Sequence, residues 1–298
     1  ADAVRSSRIE RPPASIIALA YLLVTLPLLF RGEMDGPRAT ALAIHLVAIV
    51  MLGITWWRPS AGRPGTTAGW LPLVLVPVMY GELPYLMAAG PGGNVPFNDP
   101  LVMEWEHALF GAQPAQSLAA AIPGTLVSEL LHFGYLSYYA IVFLPPLLLF
   151  LRGDRRGFDL SAAVVMATFA LCFLVFALWP VEGPRYRWAA PAGIADGPVR
   201  TLVLMILERG SSRGAAFPSS HAAVAVAQSV VLLHLWPRLG ALVGVLTALL
   251  LVGAVHGGFH YGVDMVAGTV LGAGVGLLGL AARRPDVLAV RWTARKAA

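Results

Sequence analysis

The sequence predicts an all-α integral membrane protein of about eight transmembrane helices, and three observations carry that expectation. Hydrophobic residues fill 57% of the 298 positions and charged residues only 12%, against roughly 25% charged in a soluble domain. The apolar residues gather into runs that can cross about 30 Å of hydrocarbon at about 1.5 Å per residue. The arginines fall between those runs, which marks topology signals and excludes a nucleic-acid surface despite the net charge of +5.

The runs lie near residues 14–30, 39–57, 69–89, 128–151, 159–180, 218–236, 239–256 and 262–282. The first follows Arg5, Arg8 and Arg11 and has no small-residue cleavage site after Phe30, so it reads as a retained span. An even number of spans puts both termini on one side. With the termini inside, inner segments hold fourteen of the 21 Lys and Arg residues and outer loops hold seven. The positive-inside rule then predicts cytoplasmic termini and places the loops 90–127 and 181–217 outside. In the first of these, Leu101, Trp105 and Leu109 predict a helix lying in the interface, with Glu104, Glu106 and His107 on its wet face. The expected organisation is N-terminal spans and outer loop over 1–127, a core over 128–282, and a basic cytoplasmic tail over 283–298. Cys172 is the single cysteine, which excludes an intramolecular disulfide and a cysteine-based metal site.

Two stretches place polar chemistry at the mouths of spans. Pro218-Ser219-Ser220-His221 reads as a helix start: Pro suits the first turn, Ser caps, and the free N–H groups with the positive dipole end favour an anion. Gly257-Gly258-Phe259-His260-Tyr261-Gly262-Val263-Asp264 sets His260 and Asp264 four apart, on one face if the segment is helical. An Asp beside a His fixes its tautomer and turns a weak nucleophile into a usable one. Two histidines, a carboxylate and an anion cradle are what phosphoester cleavage through a phosphohistidine requires. His256, His260 and Asp264 also recur at i, i+4 and i+8, a facial set for zinc or iron. Gly257, Gly258 and Gly262 argue against a regular helix there, so no metal is expected and His256 is kept as a substrate contact. Glu82, inside the third run, calls for a partner, a polar cavity or a place near the interface. His45, His132 and His234 read as structural.

On these motifs the chain resembles the type-2 phosphatidic acid phosphatase superfamily over about residues 128–282. Members share a Lys/Arg segment ending Arg-Pro, a Pro-Ser-Gly-His segment, and a Ser-Arg segment followed by His and Asp. Here Pro218-Ser219-Ser220-His221 meets the second with Ser for Gly, and His260 with Asp264 meets the latter half of the third. The Ser-Arg pair falls on Gly253-Ala254, and the first motif has no lysine, only Gly183-Pro184-Arg185 in the corresponding loop. These departures resemble the inositol phosphorylceramide synthase-like branch. The resemblance implies a six-helix-type catalytic core and a metal-independent, cofactor-free phosphatase or phosphotransferase. It implies that His260 attacks phosphorus, Asp264 orients it, and His221 protonates the leaving oxygen. Arg185, with Arg187 or Arg213, would neutralise charge, and Ser219 and Ser220 would sit at the phosphate. The substrate implied is a membrane lipid phosphate at the outer leaflet, with an alcohol such as inositol as acceptor. Hydrolysis of a lipid phosphate or polyprenyl diphosphate is the alternative within the class. A transporter is the alternative outside it, and the position of the polar groups at span ends weighs against that.

Overall fold

The computed structural model describes residues 12–57, 67–87 and 95–296. Arg5, Arg8, Arg11, Arg58 and Arg63, and the Gly-Pro-Gly-Gly-Asn opening of the first long loop, lie outside the described residues. Every regular element among the described residues is helical. In chain order these are α1 (Pro13–Thr25, prolonged by a 3-10 turn over Leu26–Phe30), α2 (Gly36–Trp57), α3 (Thr67–Gly81), α4 (Leu83–Leu86) and α5 (Asp99–Phe110). There follow α6 (Pro114–Ala121), α7 (Thr125–Leu136), α8 (Tyr138–Leu151), α9 (Arg155–Leu178) and α10 (Pro184–Arg187). The last four are α11 (Pro198–Gly210), α12 (Ser220–Leu235), α13 (Pro237–His256) and α14 (Gly262–Lys296).

Among the described residues, five stretches are long and apolar enough to cross a membrane: Pro13–Phe30, Gly36–Thr55, Arg155–Leu178, Pro237–His256 and Gly262–Arg283. The pair α7 and α8 makes a sixth if it is one span, although it is bent by 44°. The bend falls at Ser137, whose hydroxyl donates to the Gly134 carbonyl at 2.6 Å, a side-chain bond to the preceding turn of the kind that bends helices. Ala68–Gly81 and Ser220–Leu235 are apolar but shorter. At 16 residues, α12 rises only about 24 Å.

The α9 helix is the central post. Its buried face, which includes Phe158, Val165, Phe169, Phe173 and Phe176, meets α1, α3, α8, α12 and α14. One apolar cluster therefore runs from Ala14 and Leu22 at the N-terminal end to Leu232 and Leu250. The most extensive pairing is α12 with α14, and a stripe of small residues permits it. A methyl group added at Gly272 would stand 2.1 Å from the Ala223 carbonyl oxygen, and one at Gly268 would stand 2.4 Å from that of Ser219. Such stripes let backbones approach where lipid supplies no hydrophobic drive between helices. The close approach fixes the beginning of α12 beside the beginning of α14.

The expected wet face of α5 is only partly found. Glu104 and His107 are exposed, but Glu106 is fully buried. Its two carboxylate oxygens accept the Gly262 and Val263 N–H groups at 2.8 and 2.7 Å. These are orphan donors of the first turn of α14, and a carboxylate there also meets the positive end of the helix dipole. Leu101, Trp105 and Leu109 are exposed along a neighbouring stripe.

The helix contact generates a paired test. Gly272→Ala should lower the unfolding temperature in detergent by a loss of about 1–3 kcal/mol, the usual cost of overpacking. Gly274→Ala, where an added methyl meets nothing within 4 Å, should be neutral or stabilise by up to about 1 kcal/mol. Equal responses at the two positions would dismiss the close-contact account.

Candidate active site

The loop between α9 and α12 returns on itself. Val181 N–H donates to the Gly214 carbonyl at 3.1 Å and Ala216 N–H to that of Val181 at 3.0 Å. This two-residue bridge brings Gly183-Pro184-Arg185 alongside Ser219-Ser220-His221. Ser219 is the N-cap of α12, its hydroxyl accepting the Ala222 N–H. Its own N–H donates to the Asp264 carbonyl at 3.1 Å. The loop start, the α12 start and the α14 start are thereby tied into one place.

His260 does not share a helical face with Asp264. Helix α13 ends at His256, and Gly258 takes a left-handed φ of +70°, which is the usual way a helix is closed. His260 lies in the turn that follows. Its Nδ1 nevertheless stands 3.3 Å from Asp264 Oδ2. The contact arises because Asp264, in the first turn of α14, reaches back to accept the Tyr261 N–H at 2.9 Å, half of a capping box. The other ring nitrogen, Nε2, faces His221 Nδ1 at 3.4 Å and Ser219 Oγ at 3.5 Å. Burial pushes the His260 imidazole down to about 4, against a hydrogen bond to the Ala216 backbone carbonyl that acts the other way. The free site therefore holds a neutral ring near pH 7, with Nδ1 toward the carboxylate and Nε2 open to an electrophile. On the far side of His221, Tyr135 and Tyr138 arrive from either side of the bend at Ser137. Their rings lie 4.9 and 4.2 Å from the imidazole, and Tyr135 Oη is 3.2 Å from Nε2.

His221, His260 and Ser220 open into a cavity of about 640 Å³ that Arg185, Arg209, Ser211 and Ser212 also line. The loop arginines divide into two kinds. Arg187 and Arg213 are both paired with Glu182. Arg185 has no carboxylate partner among the described residues; it donates to Ser211 Oγ at 3.2 Å and lies over the Tyr186 ring. Arg209, at the end of α11, lines the same wall, and nothing in its sequence surroundings singles it out from Arg200, which is buried and paired with Asp196. His256 is not among the cavity residues: its Nε2 stands 3.2 Å from the Ile122 carbonyl. Among the described residues no group of three or more His, Cys, Asp or Glu is arranged to hold a metal.

The absent Ser-Arg pair also has a physical account. A methyl group at Gly253 would stand 2.3 Å from the Leu131 carbonyl oxygen, where α13 crosses α7. Ala254 is fully buried, and its carbonyl accepts the Phe259 and His260 N–H groups. Neither position has room for the larger residue.

The family described as the PAP2 superfamily matches this chain over residues 101–278. Comparison with curated proteins and with solved structures finds no match. The matched stretch includes His221, His260, Asp264, Arg185, Arg187, Arg209 and Arg213, and α5 from Leu101 onward.

The burial of His260 sets an expectation for its titration. A group held below its ordinary 6.5 by burial stays neutral until pH falls through the lowered value. The ¹⁵N resonances of the His260 side chain in detergent should report a neutral imidazole at pH 6, protonated only at Nδ1. A doubly protonated ring at pH 6 would contradict this environment.

Proposed function

The chain belongs to the PAP2 superfamily, and from that premise we propose that it cleaves a membrane lipid phosphate through a phosphohistidine on His260 and passes the phosphoryl-bearing group to an alcohol. Membership supports phosphatase-type activity on phosphate esters. The finer reading rests on one observation, the mixed character of the cavity. Its lining brings His221, His260, Arg185 and Arg209 together with an apolar wall that includes Val76, Pro77, Val142, Phe143, Phe169 and Phe173. Phe169 lies nine residues before the end of α9, so the apolar wall reaches about 14 Å along that helix. A soluble phosphate ester has no use for such a wall; an acyl or prenyl chain does.

In this reading His260 Nε2 attacks phosphorus while Asp264 holds Nδ1–H and favours the charged product. The bond to the departing oxygen breaks, and that oxygen takes its proton from His221. The phosphoryl oxygens lie against the N–H groups opening α12 and against Arg185 and Arg209, whose planar forks suit them. Arg187 and Arg213 hold Glu182 and shape the loop. An acceptor hydroxyl then takes the phosphoryl-bearing group from His260. Transfer is favoured over hydrolysis because the lack of a first-motif lysine and of the Ser-Arg pair resembles the inositol phosphorylceramide synthase-like branch, for which an alcohol would be the acceptor. No metal enters the scheme.

The eight apolar helical segments are read as eight crossings, with both termini cytoplasmic and the site outside. Supporting this, Arg152, Arg155, Arg156 and Arg238 gather where α8 meets α9 and α12 meets α13, the bundle end away from His260. Arg152 lies over the Trp236 ring there, an anchor suited to an interface.

The deciding experiment uses purified protein in detergent with labelled phosphatidate, polyprenyl diphosphate, phosphatidylinositol, and ceramide with a phosphoinositol donor. Acid quench should trap a phosphoenzyme in the native protein and none in His260→Ala. Arg185→Ala should lose about 10²–10³ in kcat/KM, as for other groups that stabilise developing charge, and Arg187→Ala much less. Product phosphate rising with no effect of added alcohol would replace transfer by hydrolysis. No turnover of any lipid, with uptake into protein-loaded vesicles, would favour a transporter.

Topology has its own measurement. Cys172 is fully buried, so labelling background is low. A cysteine at the exposed Ala192 should react with an impermeant thiol reagent in intact cells, and one at the exposed Arg156 should not. The reverse pattern would move the site to the cytoplasmic side.

A further inference from the structure

His221 is held on both sides, and the second partner is a residue that no motif marks. Its Nδ1 faces the nucleophile at 3.4 Å and its Nε2 faces the Tyr135 hydroxyl at 3.2 Å. Tyr135 is buried, and a buried tyrosine hydroxyl needs a partner. Helix packing leaves its ring little freedom, since Tyr135 also meets the Phe259 ring at 4.9 Å. Tyr138 supplies the closer ring to His221, but its hydroxyl is engaged with Ser220. Of the two tyrosines, only Tyr135 reaches a nitrogen of the imidazole.

We propose that Tyr135 is the positioning group for His221: its hydroxyl oxygen keeps the Nε2 proton in place, so that Nδ1 is the nitrogen that shuttles protons in the reaction. The inference rests on the phosphohistidine reading above. It assigns to an uncharged phenol the role that a carboxylate fills for His260, and the difference is chemical. A carboxylate would hold the imidazolium charged and weaken it as an acid; a phenol fixes the tautomer with a neutral hydrogen bond. The nucleophile gains from an anionic partner, and the proton donor gains from a neutral one.

The proton accounting closes. At the start His221 carries protons on both nitrogens, a form that the negative phosphate favours. The phosphoryl group enters between the two facing nitrogens. His260 Nε2 gives its lone pair to phosphorus, and the bond to the departing oxygen breaks with its pair on oxygen. That oxygen takes the Nδ1 proton, leaving His221 neutral and protonated only at Nε2, against Tyr135. In the second half the Nδ1 lone pair takes the acceptor's hydroxyl proton. The acceptor oxygen bonds phosphorus, the N–P bond breaks, and its pair returns to His260. Tyr135 neither gains nor loses a proton throughout.

Tyr135→Phe is the test, since it keeps the ring that packs on His221 and Phe259 and removes only the hydroxyl. Three readings are taken on the full-length protein in detergent. The ¹⁵N resonances of neutral His221 should show Nε2–H in the native protein and a mixture of tautomers in the variant. Turnover of a lipid phosphate, whose alkoxide leaves with a proton, should fall about 10-fold or more, short of the 10²–10⁴ expected for losing the acid itself. Turnover of a nitrophenyl phosphate ester, which leaves unprotonated, should change by less than about threefold. An unaltered His221 tautomer, or equal losses with both leaving groups, would overturn the assignment. The premise fails separately, if His260→Ala still traps phosphate. Should Tyr135→Phe not fold, Tyr135→Trp and Tyr135→His, read by the same tautomer measurement, carry the test: His should restore Nε2–H and Trp should not.

Discussion

A backbone N–H left without an acceptor in a membrane-embedded bundle costs several kcal/mol, because no water replaces the missing partner. The site of this protein sits where that constraint bites hardest, at two helix starts and a loop return. A single twelve-residue helix answers it. Asp99 of α5 accepts the Glu182 and Gly183 N–H groups at 2.9 and 3.0 Å and the Tyr261 hydroxyl at 2.9 Å. Glu106, two turns further, accepts the first donors of α14. One end of α5 therefore holds the arginine loop and the other holds the helix that carries Asp264, with Tyr261 linked to both. The distance between His260 and its neighbours depends on carboxylates that touch neither histidine ring. Their burial among backbone donors also explains how so many acids tolerate one another near Asp264: each is satisfied by N–H groups or by an arginine of its own.

Spacing and composition disclosed the helical class and the segments, because apolar runs of that length have few other uses. They disclosed the Ser219 cap as well, since Pro-Ser-Ser before an apolar run is a local signal. The nearness of His260 to Asp264 was legible for a reason other than the one the spacing suggested. A four-residue interval puts two side chains together on a helix, yet here a glycine-closed helix end and a capping carboxylate do so across the start of the next helix. Glu106 was misplaced because a helix with one apolar stripe reads as lying on a surface. Only the tertiary neighbour reveals that its other side caps α14. The bend at Ser137 and the two tyrosines it delivers to His221 were not legible at all. Nothing in Gly134-Tyr135-Leu136-Ser137-Tyr138 separates a hinge from any other part of an apolar helix.

The four arginines show what sequence nearness cannot decide. Arg185 and Arg187 are two residues apart on a one-turn helix and do different work, because Glu182 takes one and leaves the other. Glu182 is almost wholly buried, and with no backbone donors on its carboxylate among the described residues it takes cations instead. It captures Arg187 and Arg213, so that among the described residues Arg185 and Arg209 are the arginines that line the cavity with no carboxylate partner. The loss of the Ser-Arg pair at Gly253-Ala254 belongs to the same account. Tight crossing of α13 on α7 brings Tyr135 to His221 and removes the room for an arginine from α13. On the proposed reading, charge for a phosphate then comes from the loop and from α11.

The part of the chain before the family match has a role in this arrangement that is set by one buried pair. His45 Nδ1 stands 2.7 Å from Glu82 Oε2, and its Nε2 faces the Leu22 carbonyl at 2.9 Å. Both residues are essentially inaccessible, so removing either partner strands the other, at a cost of about 3–5 kcal/mol for a broken buried pair. The pair joins α1, α2 and the turn between α3 and α4, and that turn is no bystander. Tyr80, Gly81 and Pro84, on either side of Glu82, line the cavity beside the histidines along with Val76 and Pro77. Tyr80 also accepts the Ser212 N–H at 2.8 Å, which fastens the arginine loop to α3. Both histidines thus come from the stretch that matches the family, while part of the apolar wall, Val76, Pro77, Tyr80 and Pro84, comes from helices ahead of it. On the proposed reading, the chemistry resides in the matched stretch, and the choice of lipid is shared between that stretch and the helices ahead of it. The His45–Glu82 pair is then the fixture that keeps the lipid-selecting wall in register with the histidines.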